Sequence, residues 1–94
     1  MFARVSTFHG SPDRAEGALA GPVPPAVQRL AGFKGAYSLL DRKSGKAMLI
    51  TLWETEEAMQ ASAELAKQVR GETVQSAGAT TPATVEVYEV VSQA

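Results

Sequence analysis

The chain has 94 residues, with nine Lys plus Arg against ten Asp plus Glu for a net charge of -1, one His and no Cys. That balance supplies no basic stripe to neutralise phosphates and argues against nucleic acid as a partner; without cysteine, neither disulfides nor thiolate metal sites are available. The length suits one domain, residues 1–94, burying roughly 60 to 70% of the surface that the unfolded chain exposes.

The first segment, Phe2 to His9, alternates: Ala3, Val5, Thr7 and His9 share one parity and Phe2, Arg4, Ser6 and Phe8 the other, as in a strand. Its start, MFARVSTFHGS, lacks the basic and continuous apolar parts of a signal peptide. No apolar run approaches the ~20 residues that cross a bilayer, so a cytoplasmic protein with no membrane partner is expected. Gly10, Ser11 and Pro12 stop the strand and open a helix, with Ser11 placed to cap and Pro12 at the first helical position. Gly21, Pro22, Pro24 and Pro25 break that helix into two pieces, Pro12 to Leu19 and Pro25 to Leu30. The Gly21 to Pro25 interruption reads either as a mobile flap or as a kink that follows the sheet. Gly32 ends the second piece and Phe33 to Leu40 is the next strand, with Phe33, Gly35, Tyr37 and Leu39 on one parity. Asp41 to Lys46, DRKSGK, is a hairpin loop in which Gly45 supplies positive φ.

From Ala47 to Trp53 both parities are mostly apolar, Ala47, Leu49 and Trp53 on one and Met48, Ile50 and Leu52 on the other, so this strand requires cover on both faces. Thr55 caps a second helix, with Glu56 and Glu57 in its first turn. Ala58, Met59, Ala61, Ala63, Leu65, Ala66 and Val69 form its apolar face and Glu64, Lys67, Gln68 and Arg70 its solvated side; Gly71 either interrupts the helix or is passed as it continues through Glu72 to Ala77. Thr84 to Val91 is the last strand. The order strand, helix, strand, strand, helix, strand predicts an α+β, ferredoxin-like βαββαβ fold with a four-stranded antiparallel sheet. Helices from a chain this short cover only one sheet face. Either Met48, Ile50 and Leu52 or Leu49 and Trp53 then remain open, which predicts a homodimer through the sheet face.

AGFKGAYSLLDRKSGKAMLITLWETEEAM, residues 31–59, resembles the central segment of the antibiotic-biosynthesis monooxygenase-type domains of the dimeric α+β barrel superfamily. The shared pattern is a helix ending in Gly-Phe, a strand with Gly and an aromatic, a charged hairpin, a strand ending in Trp and an acidic helix start. The closing VEVYEV, residues 85–90, is similar to their last strand. The resemblance implies a dimeric α+β barrel with a ligand cavity between each sheet and its own helices. It also implies chemistry of the family's kinds, cofactor-independent oxygenation of aromatic polyketides or haem degradation. The haem-degrading branch carries Asn on the first strand, Trp ending the third and His on the second helix; Trp53 matches, but FARVSTFH has no Asn and the second helix no His.

The candidate site follows from these elements. His9, the single histidine, reads either as a general base or as a strand-end ring half in water, and Trp53 either as a cavity wall offering its indole N–H or as a structural anchor. Leu49 and Thr51 share the Trp53 side, which the resemblance puts toward the helices; Tyr37, Ser38 and Tyr88 are the remaining candidate ligand contacts. Arg4 is read as an ion pair with Glu86 or Glu89, or as a contact for an anionic ligand. Neither a metal nor a cofactor is expected, since one His without spaced carboxylates supplies too few donors. The reading is a pocket for a small apolar or aromatic ligand: a cofactor-independent monooxygenase-like enzyme acting on an aromatic or polyketide-like compound, or a non-catalytic ligand-binding or stabilising homodimer.

Overall fold

Strands β1 (Phe2–His9) and β3 (Lys46–Trp53) take the middle of the sheet. The structure is a computed structural model that describes residues 1–19, 23–79 and 81–94. Strands β2 (Phe33–Leu40) and β4 (Thr84–Glu89) form the edges, giving the order β2-β3-β1-β4 with every pairing antiparallel. This is the expected ferredoxin-like α+β arrangement. Helices α1 (Pro12–Leu19) and α2 (Pro25–Gln28) lie between β1 and β2, and α3 (Glu56–Ala61) and α4 (Ala63–Ser76) lie between β3 and β4. The second piece of the first helix is thus shorter than predicted, ending at Gln28 rather than Leu30. Gly21 and Pro22 of the expected bend lie outside the described residues.

Register decides which side chains meet the helices. Phe2, Arg4, Ser6 and Phe8 stand opposite Trp53, Thr51, Leu49 and Ala47, and these two rows form the covered side of the central strands. Phe8 and Ala47 pack with Ala15 and Ala77 in one buried cluster, and Trp53 packs with Val27 and Met59 in another. Met48, Ile50 and Leu52 therefore lie on the open face, opposite Thr7, Val5 and Ala3.

Three local features depart from the simple periodicity. A register shift between Phe33 and Gly35 places Phe33 opposite Trp53, although Tyr37 and Leu39, of the same sequence parity, stand opposite Ile50 and Met48 on the open face. A β-bulge adds one residue to one strand and so flips the parity beyond it. Phe33 consequently meets Trp53 edge to face, ring centroids 5.6 Å apart at 77°.

The second departure is a helix break at Ser62; of the two alternatives at Gly71 the helix takes continuation, with α4 running through it to Ser76. Thr55 caps α3 as expected, accepting from the Ala58 N–H at 3.1 Å. At the other end the Ser62 hydroxyl donates to the Met59 carbonyl at 2.6 Å, a side-chain bond to backbone that competes with the regular helix ladder. Ala61 and Ala63, counted in the apolar face, are exposed on either side of this break.

Third, the hairpin from Asp41 to Lys46 docks against the turn after β1. Gly45 has φ +80°, and its carbonyl accepts from the Gly10 N–H at 2.9 Å. A Cβ on Gly45 would sit 2.2 Å from the Gly10 carbonyl oxygen, so the approach as well as the dihedral requires glycine.

Candidate functional site

Between the two buried clusters the covered side of the sheet runs out of large apolar side chains. Arg4 and Ser6 of β1, Ala36 and Ser38 of β2 and Thr51 of β3 stand there, and the helices opposite present Ser62, Ala66 and Thr73. Small and polar groups facing one another leave space that packing would otherwise fill. The result is a partly open cavity of about 110 Å³, walled by Leu19, Val23, Val27, Leu49, Trp53 and Val69. A dry apolar cavity of roughly 150 Å³ accepts benzene, so the enclosed space, somewhat smaller and open on one side, has room for one ring at most.

Trp53 is fully buried and forms one wall. Its indole N–H donates to Thr51 Oγ1 at 3.0 Å, so that donor is engaged within β3 rather than aimed at a ligand. Ser38, Leu49 and Thr51 line the same cavity, as the shared side of the strands leads one to expect. Tyr37 borders it from the open-face parity with 59% of its surface exposed.

His9 and Tyr88 are placed elsewhere. His9 is exposed at the end of β1 opposite Lys46, whereas Trp53 stands opposite Phe2, seven residues and about 23 Å along the strand. Tyr88 pairs with Ala3 on the open face, 52% exposed, and its hydroxyl donates to Glu86 Oε2 at 2.7 Å. That bond holds the phenol proton and raises the Tyr88 pKa above its ordinary value. The structure thus gathers Trp53, Ser38, Leu49 and Thr51, sets Tyr37 at the border, and leaves His9 and Tyr88 outside.

Arg4 contradicts the ion pair read from the sequence. Only 7% of its surface is exposed, and its guanidinium donates from Nη2 to the Met59 carbonyl at 2.6 Å and from Nη1 to Ser62 Oγ at 2.9 Å. Glu86 is engaged with Tyr88 on the other face. The Met59 carbonyl, which also accepts from the Ser62 backbone N–H at 3.2 Å, lies in the last turn of α3, where a cation meets the negative end of the helix dipole.

Arg70, assigned from the sequence to the solvated side of its helix, is half-buried and lines the cavity. The signal was present in the spacing: Ala66, Val69, Arg70 and Thr73 fall at i, i+3, i+4 and i+7 and so on one face. The Arg4 pKa is lowered, first by burial and second by the charge of Arg70.

The donor set does not suit iron ligation. His9 is the single histidine of the chain and is not among the lining residues, so the cavity offers no axial imidazole for haem. Among the described residues no three His, Cys, Asp or Glu side chains cluster as metal ligands.

No family profile matches the chain. The uncharacterized protein Rv2557 of Mycobacterium tuberculosis is 34% identical over 95 residues, a match covering 98% of this chain and 42% of the relative. The chain therefore spans less than half the length of the curated relative that it matches. Among solved structures, the monooxygenase ActVA-Orf6 of Streptomyces coelicolor, in complex with nanaomycin D, superposes with a TM-score of 0.78 at 19% identity, covering 99% of this chain and 89% of that one. The heme-degrader MhuD of Mycobacterium tuberculosis, with two hemes bound, gives 0.73 at 23% identity over 100% and 99% of the two chains. A dimeric ferredoxin-like protein from an uncultured marine organism gives 0.71 at 13% identity over 98% and 89%. On this evidence the chain has the fold of the antibiotic biosynthesis monooxygenases.

Proposed function

We propose that the chain binds an aromatic small molecule in the cavity beside Trp53 and acts on it as a cofactor-independent monooxygenase-like enzyme. The observation that carries the reading is the cavity itself, an apolar space of single-ring size on the covered side of the sheet, walled by Trp53 and Leu49, with Ser38 and Thr51 at its floor. One ring occupies the enclosed part, and the rest of an aromatic or polyketide-like body extends toward the open side. In the proposed reaction an activated CH₂ loses a proton to water, its carbanion takes up O₂, and the hydroperoxide loses water to leave C=O. One oxygen atom enters the product and the other leaves as water. Once the proton has left, apolar walls favour this sequence by shielding the carbanion from reprotonation by bulk water.

A second reading, a non-catalytic ligand-binding or stabilising homodimer, is favoured by one observation: no His, Asp or Glu is among the lining residues. Oxygen uptake with anthrone separates the two. The enzyme reading expects uptake above the buffer rate that falls at least tenfold in Ala66→Phe, which fills the cavity. Uptake at the buffer rate, with anthrone bound, supports the carrier.

The open face supports a homodimer. Val5, Met48, Ile50 and Leu52 lie there half-buried beside the exposed Tyr37 and Leu39, a contiguous apolar surface of the kind that marks an interface. A second copy seated sheet to sheet would remove it from water and form the barrel.

A further inference from the structure

The charges around the cavity are of one sign. Its lining includes Arg4 and Arg70 and neither Asp nor Glu. The single ion pair among the described residues, Arg42 with Glu16, is exposed. The four remaining residues, Ala20, Gly21, Pro22 and Thr80, carry no carboxylate. A guanidinium as buried as Arg4 ordinarily has a carboxylate partner, because moving a charge out of water is costly unless an opposite charge compensates. Here its two bonds go to neutral oxygens, Met59 O and Ser62 Oγ, and take two of its five N–H donors. Those bonds explain a tie between the sheet and the end of α3. They do not explain why a second cation, Arg70, lies close enough to disfavour the charge on the first.

We infer that the occupant of the cavity is an aromatic carboxylate, its ring against Trp53 and the apolar helix residues and its carboxylate held by Arg4 and Arg70. The inference rests on the pocket reading above and names the chemical class of ligand for that site. An anion supplies the charge that the lining lacks. A guanidinium fork matches the two oxygens of a carboxylate, and a charge-assisted hydrogen bond is about twice as strong as a neutral one. The apolar walls require a hydrophobic body, which inorganic anions do not have.

The test compares benzoate and 2-naphthoate, each with its neutral amide, and inorganic phosphate, by titration calorimetry and by amide shifts in NMR. Wild-type protein is expected to bind at least one carboxylate about tenfold or more tighter than its amide, and tighter than phosphate. In Arg70→Gln that preference is expected to fall to within about twofold. Arg4→Gln is expected to do the same where it folds; Arg70→Gln, at a half-buried position, keeps the test decisive where it does not. Equal binding of acid and amide, binding of phosphate as tight as of the aromatic acids, or a preference that survives Arg70→Gln overturns the inference and leaves the pocket reading standing. Absence of any shift at the lining residues with all five probes overturns both.

Discussion

Trp53 shows how one side chain can serve the core and the site together. It is fully buried, meets Phe33 edge to face, packs with Val27 and Met59, and donates to Thr51 across one turn of the pleat. Truncation removes a large apolar group and leaves the Thr51 hydroxyl without its donor. Trp53→Ala is expected to lower stability by about 3–5 kcal/mol, read from the midpoint of urea unfolding at unchanged slope. A loss below about 1 kcal/mol would mean that the ring is not the anchor described. The sequence identified Trp53 because it is the only tryptophan and ends the most apolar strand. Arg70 could not be identified as readily: a long cationic side chain buries its stem and can reach either solvent or a cavity, so spacing alone leaves its direction open.

At the scale of elements, the hairpin between β2 and β3 is set by local chemistry. The Asp41 carboxylate accepts from the Lys43 backbone N–H at 3.0 Å, the Asp41 carbonyl accepts from the Gly45 N–H at 2.9 Å, and the Lys46 carbonyl accepts from the Asp41 N–H at 2.9 Å. The Lys43 backbone bond is the first cause, and the Ser44 side chain the second, that lowers the Asp41 pKa from its ordinary value. A carboxyl with a depressed folded-state pKa contributes stability above its unfolded pKa, and loses it as pH falls through the folded value. Asp41→Ala is therefore expected to melt below wild type at pH 7, with the difference shrinking on acidification through and below the ordinary carboxylate range; a gap independent of pH would assign the effect to packing.

The limits of the first three strands, to within one residue, and those of α1 were legible in the chain because Pro, Gly and charged loop residues punctuate them, whereas β4 ends at Glu89, two residues before the Val91 expected, where no such residue marks the end. The bulge at Phe33–Gly35 was not, since alternation continues through an inserted residue and only the paired strand reveals the shift. Nor was the break at Ser62: its hydroxyl bond to Met59 is one of several a serine can make locally, and the approach of Arg4 is a tertiary fact, whereas Gly71, the weaker helix former, is accommodated inside α4.

For the whole molecule, the apolar content of β3 splits between two environments. Ala47, Leu49 and Trp53 meet the helices, and Met48, Ile50 and Leu52 face away from them. Ile50 stands between Val5 and Tyr37 on the open side, where a lysine would put a charge into the proposed contact between copies. Wild-type chain is expected to scatter light as a dimer at micromolar concentration and Ile50→Lys as a monomer with far-UV dichroism retained. A wild-type monomer would remove the sheet-to-sheet assembly without affecting the cavity on the other face.

The backbone junction at Gly10 carries a further consequence. Gly10 N–H donates to Gly45, Ser11 N–H donates to the Ala77 carbonyl at 2.8 Å, and a Cβ on Gly10 would lie 2.7 Å from that same oxygen. Hairpin, first turn and the end of α4 are thus riveted main chain to main chain, with no rotamer available to give way. Breathing motions that admit a guest molecule must then originate at the Trp53 end, where the four-residue α2 is the shortest piece of the cover, and deuterium uptake should be fast at Val27 and Gln28 while Gly10 and Ser11 stay protected.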